Sequence, residues 1–322
     1  MSRSATLALA LLLVALFLLS TLLPFGTLGE LFHQDQNLAG AVLIELRLPR
    51  ALLALVYGAM LGASGAAIQA LFANPLASPD LTGTTSGAAL GAVLTVYIFG
   101  FSAPLALSAG SVMGALGALA LLLALAGPRA ETATLLLAGL AISALAGALT
   151  TLALALAPSP FAFYDAYDWL MGSLVDRSLA QAAFAAVPAL LSILLLWRSH
   201  RALDSLTLGE EVAQSFGYNI TRLRRSVVVL TAVGVGSCVA ICGAIGFIGL
   251  IAPIFARRFT RGHPGGAILP ASLIGASLLL AADLASRNAP LGRTLPIGVL
   301  TALLGAPFFL WLVAHMRWRL NR

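Results

Sequence analysis

The 322-residue sequence is 60% hydrophobic and only 9% charged, with a mean hydropathy of +0.99 and a formal net charge of +6. These proportions leave too few polar residues to cover a water-soluble globule of this size, so they exclude a soluble protein and indicate a polytopic membrane protein. The positive charge comes from arginine alone, since the sequence contains no lysine. A phosphate-binding loop ending in Gly-Lys-Ser/Thr is therefore excluded, and ATP hydrolysis, if it drives this protein, belongs to another chain.

Nine apolar runs are long enough to cross the bilayer, whose hydrocarbon core requires about 20 residues of helix. The first run, Ala5 to Leu23, resembles a signal peptide, but it is too long and ends without a clear small-residue cleavage site. We therefore predict that it is the first membrane helix of an all-α protein. The runs lie at residues 5–24, 50–72, 82–104, 106–126, 133–157, 180–197, 226–256, 266–286 and 296–315.

Two arginines, Arg47 and Arg50 of the motif "RLPR", immediately precede the second run, at an end that the topology below places outside the cytoplasm. Arg287 and Arg293 flank another loop on that side. Outward arginines on a rigid helix end can form bidentate contacts with the carboxylates of an external partner. The alternative is anchoring to lipid phosphate groups, and the residues alone leave both interpretations open.

Glycine recurs at four-residue spacing in three of the predicted helices. Such stripes favour close helix packing in lipid, and the general richness of membrane helices in small residues is the competing explanation. The stripes are Gly58 and Gly62, then Gly83, Gly87 and Gly91, then Gly110 and Gly114.

The stretch "TLGEEVAQSFGYN" is conspicuously polar for this chain. Thr207 can cap a short helix, whose positive N-terminus Glu210 and Glu211 would favour, and Gly217 is a plausible end. The apolar residues of such a helix, including Phe216, can insert into a groove on another protein. The alternative is a solvated connector on the membrane surface, and local pattern does not separate the two.

The run at residues 226–256 is too long for one crossing, because a straight helix of that length would measure about 45 Å against a core of roughly 30 Å. A single crossing would also place the basic segments "ARRFTRGH" and "MRWRLNR" outside, against the positive-inside rule. We therefore predict two shorter crossings, broken near the glycines of "CGAIGFIGLIAP" and kinked at Pro253. Ten crossings with both termini inside leave five arginines outside and place 13 of 18 in the cytoplasm: Arg3, Arg129, Arg198, Arg201, Arg222, Arg224, Arg225, Arg257, Arg258, Arg261, Arg317, Arg319 and Arg322.

Ionisable residues are nearly absent from the predicted spans. Asp283 is the one clear exception, and Arg287 lies one helical turn later, so we predict a local ion pair. An ion-coupled carrier would keep an acid or a histidine near the midplane, and a membrane-embedded enzyme would need converging catalytic groups; the sequence offers no convincing example of either. We predict no catalytic residues. Cys238 and Cys242 are interpreted as packing residues, and the four scattered histidines indicate no metal site.

Six ordered motifs carry a resemblance that extends over residues 45–315. The chain resembles the permease subunits of ATP-binding-cassette (ABC) importers for iron chelates and vitamin B12, the FecCD/BtuC-like, or type II importer, family. The motifs are "RLPRALLALVYGAMLGASGAAIQALFANPLASPDLTG", "WLMGSL", "LDSLTLGEEVAQSFG", "GAIGFIGLIAP", "LLLAADLASR" and "LPIGVLTALLGAPFFLWL".

The resemblance implies one permease domain over residues 1–322, with ten transmembrane helices and a cytosolic coupling-helix loop at about 200–224. It implies a homodimer in the bacterial inner membrane, two ATPase subunits that carry ATP and Mg, and a periplasmic substrate-binding protein. No cofactor is expected on this chain. The expected substrate is a siderophore-type iron chelate or haem, with cobalamin or an oxyanion such as molybdate as alternatives.

The resemblance also assigns roles to individual residues. Family loops depart here at Ile254, at Gly262 to Pro264 and at Thr294, where the family commonly has Pro-His, Asp-His-Arg and Glu-Leu-Pro, which weakens finer assignments at those places. The implied residues are Leu208, Gly209, Glu210, Glu211, Ala213, Phe216 and Gly217 for ATPase coupling, Arg47, Arg50 and Arg287 for docking of the binding protein, and Asn74, Pro75 and Leu76 for the cytoplasmic gate.

Overall fold

The computed structural model describes residues 3–23, 29–30, 33, 35–127, 132–157, 159–288 and 295–320. All regular elements in these residues are helical, which confirms the predicted all-α class. The helices are α1 (Arg3–Leu22), α2 (Gln36–Ala41), α3 (Leu48–Leu71), α4 (Thr84–Tyr97), α5 (Pro104–Ala126), α6 (Thr132–Ala155), α7 (Pro160–Leu170), α8 (Leu179–Arg198), α9 (His200–Ser205), α10 (Glu210–Ser215), α11 (Ile220–Cys242), α12 (Ile248–Arg257), α13 (Ile268–Arg287) and α14 (Ile297–Leu320).

Six helical stretches within the described residues are long and apolar enough to cross a membrane. Shorter apolar helices occur at Thr6–Leu22, Ile248–Arg257 and Ile297–Leu312. The polytopic character is therefore confirmed, while the number of ten crossings stays a prediction. The six stretches are Gln36–Leu71, Pro104–Leu125, Leu137–Ala155, Leu179–Arg198, Ile220–Cys242 and Ile268–Arg287.

Helix α3 lies at the centre of the molecule, against α8, α11, α12 and α13. A π-helical turn, Val42–Arg47, joins it to α2, so that one helical stretch runs from Gln36 to Leu71. Its side chains from Leu53 to Leu61 include some of the largest fully buried ones, such as Tyr57 and Met60. The helix that begins with the paired arginines is thus the core of the fold.

The predicted glycine stripes lie where helix backbones touch. A methyl group on Gly58 would overlap the backbone of Gly275, and one on Gly62 would overlap that of Ala271, so α3 and α13 pack backbone to backbone. The stripes that include Gly87 and Gly91 on α4 and Gly110 and Gly114 on α5 contact each other in the same way. Gly83 differs, because it precedes α4 with a φ of +79° and faces Ile142 of α6.

The predicted interruption of the 226–256 run is confirmed. Helix α11 ends at Cys242, and α12 begins only at Ile248. Gly243 and Phe247, at the two sides of the break, have φ values of +73° and +66°. The ten residues of α12 measure about 15 Å, half of the hydrocarbon core, so α12 is too short to cross it alone.

Candidate functional site

The polar stretch forms a short exposed helix between the long helices α8 and α11. Helix α10 has Glu210 and Glu211 in its first turn and ends at Ser215. Gly217 follows with a φ of +87°, a conformation that favours glycine at the end of a helix. The predicted helix, with its acidic first turn and its glycine stop, is confirmed.

The predicted cap at Thr207 is wrong. Thr207 lies in a 3₁₀ turn, where its hydroxyl group donates to the carbonyl oxygen of Asp204 at 2.7 Å. Gly209, with a φ of +101°, occupies the cap position without a side-chain hydrogen bond. Helix α11 begins at Ile220, so the predicted loop at about 200–224 includes the first residues of that helix.

The surface of this loop combines two exposed apolar side chains with two carboxylates. Leu208 is 61% exposed and Phe216 is 62% exposed, whereas Ala213 is fully buried. Ala213 therefore packs beneath the surface, so its predicted part in ATPase coupling stays a prediction and does not include direct contact with a partner. Val212, which the resemblance did not assign, is 39% exposed on the same helix.

The two glutamates of α10 have different surroundings. Glu210 forms an ion pair with Arg224 of α11, with 2.8 Å between Oε1 and Nη2. Among the described residues Glu211 has no cation partner, so its exposed carboxylate is available to another molecule. Glu210 is thus held by the protein's own helix, and Glu211 is the charge that the loop presents.

Asp204 ties this loop to the connection between α12 and α13. Its Oδ1 accepts the backbone N–H of Gly265 at 2.8 Å and that of Gly266 at 3.4 Å. The contact is close, since a methyl group on Gly265 would overlap the backbone of His200. The loop is therefore joined directly to the connection between α12 and α13, through a residue that sequence reasoning did not single out.

The three arginines predicted to dock an external partner come together around one buried carboxylate. Asp283 is fully buried, and its Oδ1 lies 2.7 Å from Nε of Arg50. The other oxygen of Asp283 accepts from Arg287, so the predicted Asp283–Arg287 pair is confirmed. Arg287 also donates to the carbonyl oxygen of Ser20 at 2.8 Å, which joins α1 to the cluster.

Arg47 completes this outer arginine cluster, defined by Arg47, Arg50, Asp283 and Arg287. Its guanidinium group donates to carbonyl oxygens in the last turn of α1 and just beyond it, at 3.0–3.4 Å. The negative end of the helix dipole stabilises a cation at this position. The cluster thus joins three arginines, two of which bind the carboxylate of Asp283. Arg293, predicted to lie nearby, falls outside the described residues.

An open cavity of about 430 Å³ adjoins Arg50 at the start of α3. It is bounded by the end of α7, the segment that follows α7 and the start of α14. The charged residues that line it are Arg50, Asp165, Asp168, Asp176 and Arg177. The face that carries the outer arginine cluster is therefore of mixed charge, with acidic groups on one side of it.

The predicted gate residues form a tight turn after α3. The backbone N–H of Leu76 donates to the side-chain oxygen of Asn74 at 2.9 Å, a local bond that asparagine commonly makes in turns. Asn74 is 3% exposed, and its side-chain nitrogen is buried without a hydrogen-bond partner among the described residues. Pro75 lies between them and is partly buried.

Asp80, four residues after the gate turn, binds the helix break. Its Oδ2 accepts the backbone N–H of Phe247, at the start of α12, at 2.8 Å, and its Oδ1 accepts the hydroxyl of Thr85 at 2.7 Å. Its carbonyl oxygen accepts the hydroxyl of Ser143 on α6 at 3.2 Å. Burial raises the pKa of the Asp80 carboxyl, and the two hydrogen bonds to its oxygens oppose that shift. Sequence reasoning missed Asp80, although it lies in a quoted motif.

Tyr57 of α3 satisfies two further backbone groups of the break. Its buried hydroxyl donates to the carbonyl oxygen of Gly243 at 3.2 Å and accepts the N–H of Ile245 at 3.3 Å. Within a bilayer an interrupted helix needs such partners, because no lipid atom can replace them. Tyr57 and Asp80 therefore fix the break from two sides, one from the core and one from the gate turn.

Comparison with known proteins gives a match along almost the whole chain. The sequence model described as the FecCD transport family matches residues 7–315. The vitamin B12 import system permease protein BtuC of Vibrio cholerae is 39% identical, over 94% of this chain and 93% of that protein.

Two further relatives are similar to the same degree. The Fe(3+)-citrate import system permease protein YfmE of Bacillus subtilis is 39% identical, over 84% of this chain and 81% of that protein. The hemin transport system permease protein HmuU of Yersinia pestis is 38% identical, over 85% and 83% of the two chains.

Two solved structures share the fold. A metal-chelate type ABC transporter in an inward-facing conformation superposes with a TM-score of 0.83 at 32% identity, over 98% of this chain and all of that one. PsaBC from Streptococcus pneumoniae, in complex with Fab, superposes with a TM-score of 0.57 at 18% identity, over 82% and 89% of the two chains. At that identity the second likeness concerns the fold alone.

Proposed function

This chain belongs to the FecCD transport family and is the multi-pass membrane permease subunit of an ABC importer; we propose that it carries an iron chelate, of siderophore type or haem, from a periplasmic binding protein to the cytoplasm. The observation that carries the proposal is the family match over residues 7–315. The exposed helix α10 supports it, because a permease driven by a separate ATPase needs a surface through which that ATPase can act.

The substrate is narrowed by what the relatives have in common. Their names concern vitamin B12, iron citrate and hemin, at 38–39% identity to this chain, so identity does not rank the three. All three are metal chelates, and two of them carry iron. Cobalamin is the second candidate, since the Vibrio cholerae relative is similar over 94% of this chain.

ATP hydrolysis takes place, in this proposal, on two partner subunits that seat against the loop from residue 200 to α11. Leu208 and Phe216 supply exposed apolar anchors, and Glu211 supplies an unpaired charge for a groove that carries a cation. This permease contributes no catalytic residue, and ATP and Mg stay on the ATPase. The proposal needs both termini of this chain in the cytoplasm, as the arginine distribution predicts.

Movement of the loop reaches the gate through two hydrogen-bonded joints. Asp204 links the loop to the backbone at Gly265, on the connection that follows α12. Asp80, four residues after the gate turn at residues 74–76, binds the start of α12. Helix α12 is short and lies between these two contacts, so in this proposal it shifts as a unit between loop and gate. Alternating access is the cycle that this linkage would serve.

The binding protein docks, in this proposal, on the outer arginine cluster. The guanidinium groups of the cluster suit carboxylates on each lobe of the binding protein. Two copies of the chain would present one cluster to each lobe, which is the argument for a homodimer. Apolar side chains on α6 and α14 are strongly exposed, as at Leu137 (67%) and Leu310 (70%), and a second copy or lipid would cover them.

Reconstitution tests this function directly. The permease, its ATPase and its binding protein would be assembled in liposomes with ATP, and uptake of a labelled ferric siderophore, haemin and cobalamin would be compared. We expect ATP-dependent uptake of an iron chelate that stops when the binding protein is omitted. Uptake of cobalamin alone would establish the second candidate. Uptake that follows an imposed ion gradient without the ATPase would overturn the importer mechanism.

A further inference from the structure

A second cavity lies at the end of the molecule that carries the loop and is separate from the residues used above. It has a volume of about 460 Å³ and lies between the C-terminal end of α8 and the N-terminal end of α11. The two helices pack against each other along their length, so the cavity is a gap at one end of a continuous interface. The residues that line it are Leu195, Arg198, Ser199, Arg225, Ser226, Val229 and Leu230.

On both helices the side chains that line the cavity change from apolar to basic toward the helix end that lies at the loop. On α8, Leu195 precedes Arg198 by about one turn, and on α11, Arg225 precedes Val229 by about one turn. The helices run in opposite directions here, since one ends where the other begins, so both arginines lie nearer the helix ends and both aliphatic side chains lie about one turn further along the helix pair. A matching ligand has an anionic group at one end and a hydrocarbon chain at the other.

The two arginines of the cavity lack carboxylate partners among the described residues. Arg198 and Arg225 are exposed and enter none of the ion pairs found there, whereas the neighbouring Arg224 is paired with Glu210 at 2.8 Å. No acidic side chain lines the cavity. Two guanidinium groups can hold the oxygens of one phosphate by several charge-assisted hydrogen bonds.

The surroundings place this cavity at the edge of the membrane. The face of α8 that leads to it exposes aliphatic side chains, with Leu191 56% and Leu195 46% exposed, as expected where a helix faces lipid. Trp197 follows, 44% exposed and stacked on His200, and tryptophan is a residue type enriched at the membrane interface. A soluble phosphate would leave the aliphatic part of the cavity unused, whereas a phospholipid fills both parts.

We propose that this cavity is a binding site for one anionic phospholipid, with the headgroup phosphate between Arg198 and Arg225 and an acyl chain along Leu195, Val229 and Leu230. The lipid joins the end of α8 to the start of α11, which are the two helices that carry the exposed loop. Basic pockets between membrane helices are known to select anionic headgroups in this way. The site does not depend on the transported substrate or on which side of the membrane the loop faces.

Lipid binding to the full-length permease in detergent tests the proposal, with dioleoylphosphatidylglycerol as the probe and dioleoylphosphatidylcholine as the neutral comparison. Native mass spectrometry would give the affinities. We expect phosphatidylglycerol to bind at least tenfold more tightly than phosphatidylcholine, and the double variant Arg198→Gln/Arg225→Gln to lose that preference. The control Arg222→Gln/Arg261→Gln removes the same charge from two exposed arginines outside the cavity and should stay within twofold of the parent protein.

The aliphatic half has its own variant, Val229→Trp, which fills the cavity at a residue that is 45% exposed and leaves both arginines in place. We expect it to weaken phosphatidylglycerol binding while a melting curve in detergent shows a folded protein. The site would be overturned if the Arg198/Arg225 variant and the Arg222/Arg261 control lost the same amount of phosphatidylglycerol affinity. Unchanged binding to the Val229→Trp protein would also overturn it. Competition by millimolar inorganic phosphate would show a soluble-anion site instead, and displacement of the lipid by the ATPase would assign the surface to that partner.

Discussion

Nε of Arg50 lies 2.7 Å from Oδ1 of Asp283, although 233 residues separate the two in the chain. Asp283 is fully buried and holds Arg287 with its other oxygen. One carboxylate thus orients two of the three arginines assigned to docking. The arginines serve the fold and an external partner at once, because each guanidinium group has more donors than Asp283 can accept.

The substitution Asp283→Asn should therefore destabilise the protein strongly. It leaves two partly buried guanidinium groups without their anion, and removal of one member of a buried ion pair costs roughly 3–5 kcal/mol. The measurement is the thermal unfolding midpoint in detergent. Asp165→Asn, at an exposed carboxylate of the neighbouring cavity, is the matched control and should have little effect. Equal shifts in the two variants would contradict the central position of Asp283.

The double reversal Arg47→Glu/Arg50→Glu should weaken docking of the binding protein by at least tenfold. Two arginines of the cluster become glutamates, so the remaining affinity should also depend less on salt. Affinity would be measured by surface plasmon resonance at two ionic strengths, with unfolding curves to separate docking from stability. Arg177→Glu alters an arginine of the same cavity outside the cluster and serves as control. If the double variant bound the binding protein with unaltered affinity, the assignment of this cluster to docking would be wrong.

The substitution Glu211→Arg should abolish stimulation of the ATPase by the loaded binding protein. Glu211 is the carboxylate on α10 that no described cation neutralises, so an arginine there opposes a cationic groove on the ATPase. Gln214→Arg places the same side chain at another exposed position of the helix and should retain most of the stimulation. Phosphate release in reconstituted vesicles measures the effect. Full stimulation of the Glu211→Arg protein would exclude α10 as the coupling element.

The substitution Asp80→Asn should reduce the pH dependence of stability. Because burial raises the pKa of the folded carboxyl above its unfolded value of about 4, the stability that Asp80 contributes is fully present below pH 4. That contribution is lost as the pH rises from 4 through the raised pKa. An amide cannot ionise, so the variant should change less between pH 4 and pH 7 than the parent protein. Unfolding midpoints at the two pH values measure this, with Asp165→Asn as control, and identical pH slopes would contradict it.

Local pattern predicts the elements that depend on neighbours in sequence. Glu210 and Glu211 in a first turn, the break after Cys242 and the Asp283–Arg287 pair each follow from spacing within a few residues. Local pattern does not predict the contacts between elements that are distant in sequence. Asp80 meets Phe247 across 167 residues, and only tertiary packing brings them together.

Some predictions from the sequence differ from the structure for local reasons as well. Thr207 has the chemistry of a cap, but a 3₁₀ turn uses its hydroxyl for another carbonyl, and Gly209 takes the position instead. The local sequence predicts that Ala213 lies in an exposed helix, but the face of α10 that carries it is buried against the rest of the protein. Helix α4 ends at Tyr97, well before residue 104, although the run continues to be apolar.

The substitution Gly62→Ala tests whether the glycines of α3 are required for helix packing or only reflect the small-residue content of membrane helices. A methyl group at Gly62 overlaps the backbone of Ala271, which cannot move aside as a side chain would, so α3 and α13 must be pushed apart. Overpacking of this kind costs about 1–3 kcal/mol. Gly117→Ala is the matched control on α5, because a methyl group there meets nothing within 4 Å and alanine favours the helix. We expect a lower unfolding midpoint in the first variant and an unchanged or raised one in the second. If the two variants behave alike, the glycines of α3 reflect composition and not a contact that the fold requires.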